Sequence, residues 1–490
     1  MLTGNCTLGV DVGTTGVKVV VFDPSEGIIA QGSAPNVLSS ENPGWAEADP
    51  LQWRENALTL MAALAQEVGA SRIGAVAASG MVPAVVLTDA DGTPLRRAIL
   101  QNDARAGREV REIHGELDPE ATLVTTGSPV TQQSVAPTLR WLSRHEPEAW
   151  SRTRHVVGSY DWLLMSLGAR PHVELNWAVE SGLFTLDGEA YGPAIEAAKA
   201  AGALAPVRRA GEVVGTLSPE AASRTGLSTA VKLVVGGADH VLSAVGAGLA
   251  SPGDWLVKLG GAGDILAVTS EPITDARFYL DTHAAPGLWL PNGCMAASGS
   301  LVRWVQSVVG SDDLAAMDDE AATRQAAEVF VLPYFLGEKS PVNDPDLRGV
   351  VAGLHLGHDR VDIFRGALEG VAFGFRHNAE VFADRGIAME RASVTNGGAT
   401  SLLWKQILAS VLGQPLRTLQ GHPGAAFGAA YAAALPGGGV DGWQRIGDYV
   451  TEGEPVDPDP RLTARYDEAY GLWRELGEVN AAVMRAMARR

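Results

Sequence analysis

TLGVDVGTTGVKVVVFD, residues 7–23, reads as two β-strands around a tight turn: TLGVDV (7–12), Gly-Thr-Thr-Gly (13–16), then the β-branched VKVVVFD (17–23). A second turn, DPSEG, and the strand IIAQG follow, so the chain opens as a three-stranded antiparallel meander. In the first turn, backbone N–H groups and two hydroxyls converge on one point. That arrangement either cradles an anion or simply closes a hairpin. Lys18 lies just beyond the turn, and Asp11 ends the strand before it, where a carboxylate can hold Mg²⁺ against phosphates.

The same pattern returns later: VKLVV (231–235), a GGAD turn, a helix VLSAVGAGL (241–249), then DWLVKL (254–259), GGAG (260–263) and DILAVTS (264–270). Two copies of one Gly-turned hairpin predict two similar lobes around a cleft. The Gly- and Pro-containing GAGLASPGD supplies the boundary, giving lobes over 1–248 and 249–440 and a C-terminal loop and helix over 441–490. Between the copies, amphipathic stretches (51–69, 103–117) alternate with short apolar ones (73–79, 84–89), an α/β texture. GAAFGAAYAAAL (424–435) is too short to span a bilayer and reads as a small-residue helix packed closely against a neighbour.

Of 490 residues, 46% are hydrophobic and 19% charged, which suits a folded chain of two or three domains. The net charge of −19, from 38 basic and 57 acidic residues, repels nucleic acid and anionic membranes alike. Cys6 and Cys294 are the only cysteines, which excludes a disulfide framework and a multi-Cys zinc site. With no signal-peptide pattern at the N-terminus, a cytoplasmic location is expected.

Other candidates for chemistry are few. Gly260 and Gly261 lie in a turn that offers backbone amides but no hydroxyl. In TNGGATSLLWKQIL (395–408), Gly397, Gly398 and Ala399 join a strand to a helix, either as a packing turn or as a place for a flat group to approach the main chain. Asp239 stands between a strand and a helix, either as the helix cap or as a general base for a hydroxyl. His240 is read as a helix residue. His355 and His358 (HLGH) have a metal-ligand spacing, without a Cys or third His nearby in sequence. GxSxG, HExxH and GxxxxGK[ST] patterns are absent from the sequence, so hydrolase, zincin and Walker-type readings lack support.

In order along the chain, GVDVGTTGVKVVVFD, GWAEADPLQW (44–53), VVGGADH, GDWLVKLGGAG, PYFLGEKSPVNDPDLRGVVAGL (333–354), VDIFRGALEGVAF (361–373), NGGATSLLWKQILASVLGQPL (396–416) and PGAAFGAAYAA (423–433) resemble the FGGY family of sugar kinases over about residues 7–435. The resemblance implies an α/β, two-lobed actin/hexokinase-like ATPase fold with ribonuclease H-like lobes around a cleft. It also implies ATP- and Mg²⁺-dependent phosphorylation of a hydroxyl of a ketose or polyol, with a pentulose as the first reading. Ribulose, erythritol, glycerol or gluconate are the alternatives within the family; a non-catalytic ATPase of the superfamily is the alternative outside it. The expected partner is a small sugar or polyol, and a homodimer is compatible with the resemblance.

By the same resemblance, Asp11 is the magnesium-associated aspartate, and Thr14, Thr15 and Lys18 belong to the first phosphate loop. Gly260 and Gly261 belong to the second, and Gly397, Gly398 and Ala399 to the adenosine motif, with Asp239 as catalytic base. The stretch SGMVPAVVLTDADGTPLRRAILQNDARA (79–106) resembles the sugar-binding part of xylulokinases, which makes Met81, Val82, Asn102, Asp103 and Asp239 substrate-facing. Xylulokinases usually carry His where Val82 stands, so a sugar hydroxyl bonded there would meet a methyl surface; D-xylulose is then not expected to be the best substrate. The family usually has Thr at Gly261, Ala or Ser at Gly366 and a Lys near Thr138; the last two leave the chemistry untouched.

Overall fold

The computed structural model describes residues 4–42, 44–200, 202–311, 313–422 and 424–488. The chain divides into two compact units: Met1–Ala250, Leu280–Trp289 and Pro423–Tyr449 form the first, and Ser251–Tyr279, Leu290–His422 and Val450–Arg490 the second. The division after residue 250 falls in the expected Gly- and Pro-containing segment. Two pieces from the later half of the chain, however, pack with the first unit, where the sequence placed 249–440 in one lobe and 441–490 apart.

The first unit is built on β1 (Cys6–Val12), β2 (Gly16–Asp23), β3 (Gly27–Pro35), β4 (Ile73–Gly80), β5 (Val213–Thr216) and β6 (Lys232–Ala238). They form one sheet in the order β5-β6-β4-β1-β2-β3. β1 to β3 are the expected antiparallel meander, while β4 runs parallel to both β1 and β6. β4 is buried along its whole length, as its unbroken small and apolar run IGAVAASG requires of a central strand. β3, at the edge, alternates exposed and covered residues.

The small-residue helix of the sequence is Ala425–Ala434, buried throughout, and its neighbours are β1 and the helix Asp239–Gly246. Glycines permit the approach. A Cβ on Gly9 would lie 1.9 Å from the carbonyl oxygen of Ala426, and one on Gly428 would lie 2.2 Å from that of Leu242. Thr7 Oγ1 donates to the Ala430 carbonyl at 2.6 Å, tying strand to helix. Phe22, Phe427 and Tyr431 fill the space beside them, with Phe22 and Phe427 ring centres 5.6 Å apart, edge to face.

The second unit repeats the plan. β7 (Asp254–Leu259), β8 (Gly263–Ala267), β9 (Trp289–Met295), β10 (Arg391–Thr395) and β11 (Leu416–Thr418) follow the order β9-β8-β7-β10-β11. β7, β8 and β9 pair antiparallel, and β10 and β11 extend the sheet in parallel from β7. This matches β1, β2, β3, β4 and β6 strand for strand, so the repeated Gly-turned hairpin does mark a repeated unit. The helices Arg360–Asp384, Leu402–Leu412 and Pro460–Ala488 share this unit's apolar core, with Phe364, Phe373, Trp404 and Trp473 buried in it.

Candidate active site

In the first unit, the carboxyl ends of three neighbouring parallel strands come level: Val12 of β1 stands opposite Gly80 of β4, and Gly80 opposite Ala238 of β6. The residues that follow each strand therefore line one edge of the sheet. They are the turn 13–15, the pair Met81 and Val82, and Asp239. This is the edge at which open α/β sheets bind ligands.

The first turn is closed by its own backbone, with the Gly13 N–H donating to the Gly16 carbonyl at 2.9 Å. Asn36 clamps it: its Nδ2 donates to the Gly13 carbonyl at 2.8 Å, and its N–H to the Thr15 carbonyl at 3.0 Å. Thr14 Oγ1 donates to Met81 Sδ at 3.2 Å, joining the phosphate-loop candidate to the sugar-turn candidate. Asp11 stands across from Lys18 in the β1–β2 register. Burial pulls the Lys18 ammonium below its ordinary value, and the Asp11 carboxylate holds it up.

Asp239 is the first residue of the helix Asp239–Gly246, but the capping position is Ala238, which makes no side-chain capping bond. The Asp239 carboxylate turns instead to its neighbour, with Oδ1 accepting the His240 N–H at 2.7 Å, and its side chain is 38% exposed. The carboxylate thus serves a backbone N–H in the first turn of the helix and keeps a partly exposed face, which accords with both readings open in the sequence. Val82 is buried and presents no polar side-chain atom. Asn102 is exposed.

Asp103 departs from its expected part. Its carboxylate accepts from four donors of the protein itself: the Ala46 N–H at 2.6 Å, the Arg105 N–H at 3.0 Å, and Arg105 Nε and Nη2 at 2.8 and 2.7 Å. Two oxygens offer about four lone-pair sites, so this group is saturated without a sugar. Its work is to hold Arg105, whose guanidinium lies 3.7 Å over the Trp45 ring.

In the second unit, Lys258 near the end of β7 stands opposite Thr395 at the end of β10, so the turns after these parallel strands are adjacent. A Cβ on Gly260 would lie 3.2 Å from Asn396 Nδ2. The Gly261 carbonyl accepts from the N–H groups of Ser298 and Ser300 and from Ser300 Oγ, at 2.9, 3.0 and 2.8 Å, while the Gly260 carbonyl accepts from Gly299 at 2.7 Å. The turn is thereby pinned to the start of the helix Gly299–Val308. Four residues into that helix is Arg303, exposed and without a hydrogen bond or ion pair among the described residues. Its Nη2 is 3.4 Å from where a Cβ on Gly261 would be. Sequence reasoning missed it, because it lies 42 positions beyond the turn it neighbours.

The glycine pair 397–398 divides its labour. A Cβ on Gly398 would come within 2.5 Å of the Trp404 ring and 2.6 Å of Leu259 Cβ, so that glycine is there for packing. Gly397 has open space above it, and Ala399 follows with its N–H on the Asn396 carbonyl at 3.0 Å. His355, His358 and Glu328 do gather within ligand distance of one another. Yet Nδ1 of each ring accepts a backbone N–H, from Gly357 at 3.0 Å and from His355 at 3.2 Å. That places the proton of a neutral ring on Nε2 and leaves a poor ligand set.

The description "FGGY family of carbohydrate kinases" fits both halves: its N-terminal domain matches residues 6–246 and its C-terminal domain 257–436. A solved xylulose kinase from Rhodospirillum rubrum is 40% identical and superposes with a TM-score of 0.91, over 98% of this chain and 99% of that one. A xylulose kinase from Escherichia coli K12 is 31% identical, over 87% of this chain and 89% of its own. A gluconokinase from Bacillus subtilis is 24% identical over 90% of each. The fold is thus the actin/hexokinase-like one.

Proposed function

This chain belongs to the FGGY family of carbohydrate kinases, and on that footing we propose that it transfers the γ-phosphoryl group of ATP to a hydroxyl of a pentulose. The observation that carries the reading is the level row at the first unit's sheet edge, where the turn 13–15, Met81 and a partly exposed Asp239 follow three parallel strands in register. Support for a ketose comes from the two xylulose kinases among the similar proteins.

Asp239 takes the proton of the attacking hydroxyl. The hydroxyl oxygen then bonds to the γ-phosphorus as the bond to the ADP oxygen breaks, and the electron pair leaves with ADP. Thr14, Thr15 and Lys18 place hydroxyls and positive charge at the first turn. Gly260, Gly261 and Arg303 are assigned to phosphate in the second unit, and Gly397 and Ala399 to the adenosine face. Asn102 faces the sugar, with Asp103 and Arg105 holding its loop.

Asp11 is a carboxylate at the edge of the first turn, the hard oxygen donor that Mg²⁺ takes, and its strand places it beside the phosphate-loop candidates. Bound there with ATP, Mg²⁺ would offset charge on the phosphates. A cytoplasmic location agrees with the use of ATP and with Cys6 and Cys294 both being free thiols. No helix among the described residues is long and apolar enough to cross a membrane.

A second acceptor class is favoured by Val82, which offers a buried apolar surface at the sugar turn. Ribulose, erythritol, glycerol or gluconate would suit it where the hydroxyl in question is missing or differently placed. A coupled ADP-release assay over ketoses, polyols and aldonates tests both readings. ADP release with at least one of them is expected; none with any member of the panel would refute the kinase reading.

A further inference from the structure

His240 has carboxylates at both ring nitrogens. Nε2 lies 2.8 Å from Asp281 Oδ2 and 3.6 Å from Glu180 Oε1, and Nδ1 lies 3.4 Å from Asp239 Oδ1. The ring is nearly buried, 10% exposed, and Asp281 is more so at 1%. A neutral imidazole carries a single N–H and could serve only one of its two neighbours; the doubly protonated ring serves both. Burial works against that cation, but Asp281, Asp239 and Glu180 outweigh it and push the imidazole well above its ordinary value.

The remaining groups around the ring fit this arrangement. Glu180 is pushed well up, by burial first and then by the crowding Asp281 carboxylate, while the His240 cation pulls it back down. Its Oε1 also accepts from Asn176 Nδ2 at 2.5 Å. Glu174, which caps the helix Leu175–Glu180, is pushed up to about 7 by burial. Asp281 arrives on Leu280–Trp289, the segment from the later half of the chain that packs with the first unit. Asn176 Oδ1 pins that segment by accepting the Thr282 N–H at 2.8 Å.

We infer that His240, bridging Asp281 and Asp239, is a positioning residue for the catalytic base. Its backbone N–H at 2.7 Å fixes Asp239 Oδ1, and its ring sets a positive charge beside the same oxygen. At 3.4 Å the ring contact is mainly electrostatic, so the consequence is for charge more than for direction. A neighbouring cation keeps the base in its proton-accepting form to lower pH. Asp281 acts at one remove, by keeping the ring charged. The inference rests on the reading of Asp239 as the base.

The test is a pH series of kcat, KM for ATP and KM for the sugar that the panel selects, on wild type, His240→Gln, Asp281→Asn and Asp239→Asn, with a thermal melt of each. On the acid limb His240→Gln and Asp281→Asn are expected to lose about tenfold in kcat, while both KM values stay within about threefold. The acid limb of kcat/KM is expected to move up by about one pH unit in each, because an opposite charge beside the base has gone. A part confined to structure would lower the melting temperature and leave that limb in place. An unmoved limb, or wild-type kcat, in a variant that melts cooperatively overturns the inference. If His240→Gln does not fold, the near-isosteric Asp281→Asn decides it with the same two outcomes. Asp239→Asn separates the two levels: wild-type turnover there refutes the base itself. Its inactivity beside an unaltered Asp281→Asn refutes only the part given to His240.

Discussion

In the proposed function, Val82 and Arg303 are the single side chains that set what each unit accepts. A sugar hydroxyl placed at Val82 would meet buried methyl groups, and leaving that hydroxyl unpaired costs about 1–3 kcal/mol, or roughly 5–150-fold in specificity. D-xylulose is therefore expected to have a lower kcat/KM than a ketose or polyol lacking or displacing that hydroxyl, and Val82→His is expected to shift preference toward D-xylulose. Substrate competition measures both; D-xylulose as the best wild-type substrate would count against this reading. The role proposed for Arg303 is to stand in for the missing hydroxyl of the second turn, its Nη2 lying 3.4 Å from where a Cβ on Gly261 would be. Arg303→Gln should raise KM for ATP and Kd for ADP by about 10–150-fold, the worth of one charge-assisted hydrogen bond, while leaving binding of adenosine unchanged. Equal losses for ADP and adenosine would place the side chain elsewhere than on phosphate.

Among the elements, the helix Ala425–Ala434 carries the clearest consequence, because it presses on both the strand of Asp11 and the helix of Asp239. A methyl group at Gly428 has no room against the Leu242 carbonyl, so Gly428→Ala should cost about 1–3 kcal/mol and lower the melting temperature by about 2–10 °C. Turnover should fall with it, since the displaced carbonyl belongs to the helix that starts at Asp239. Gly471→Ala is the control: it lies within the helix Pro460–Ala488 with nothing near its would-be Cβ, and should gain about 0.5–1 kcal/mol. Equal melts for the two variants would mean that close approach is not what the glycine provides. Much at this scale was legible. The helix Pro50–Val68 begins after the Asp49 cap and ends at Gly69, within one residue of its periodic apolar pattern. The closeness of the 425–434 helix could be read from its alanines and glycines, but its partner could not, because composition says how near a neighbour lies and not which one it is.

At the scale of the whole molecule, the doubled hairpin announced the doubled unit, since a Gly-turned strand pair is a local signal that survives in the sequence. The placement of Leu280–Trp289 and of Pro423–Tyr449 in the first unit was not legible. Both return across hundreds of residues or dozens, and no local pattern records a return. The candidate site divides in the same way. The glycine turns and Asp239 announce themselves by spacing, and His240 was in plain view beside Asp239. Asp281 and Glu180 acquire meaning only when the strand and helix that carry them meet the His240 ring. The saturation of Asp103 is likewise a tertiary fact, made by Ala46 and Arg105 together.

Phosphoryl transfer driven by Asp239 is most directly tested by the rate of ADP release from saturating ATP and the preferred sugar, wild type against Asp239→Asn. An amide cannot accept the hydroxyl proton, so turnover should fall by about 10²–10⁴-fold while the Kd for ATP stays near that of wild type. Turnover by Asp239→Asn within a fewfold of wild type would contradict it.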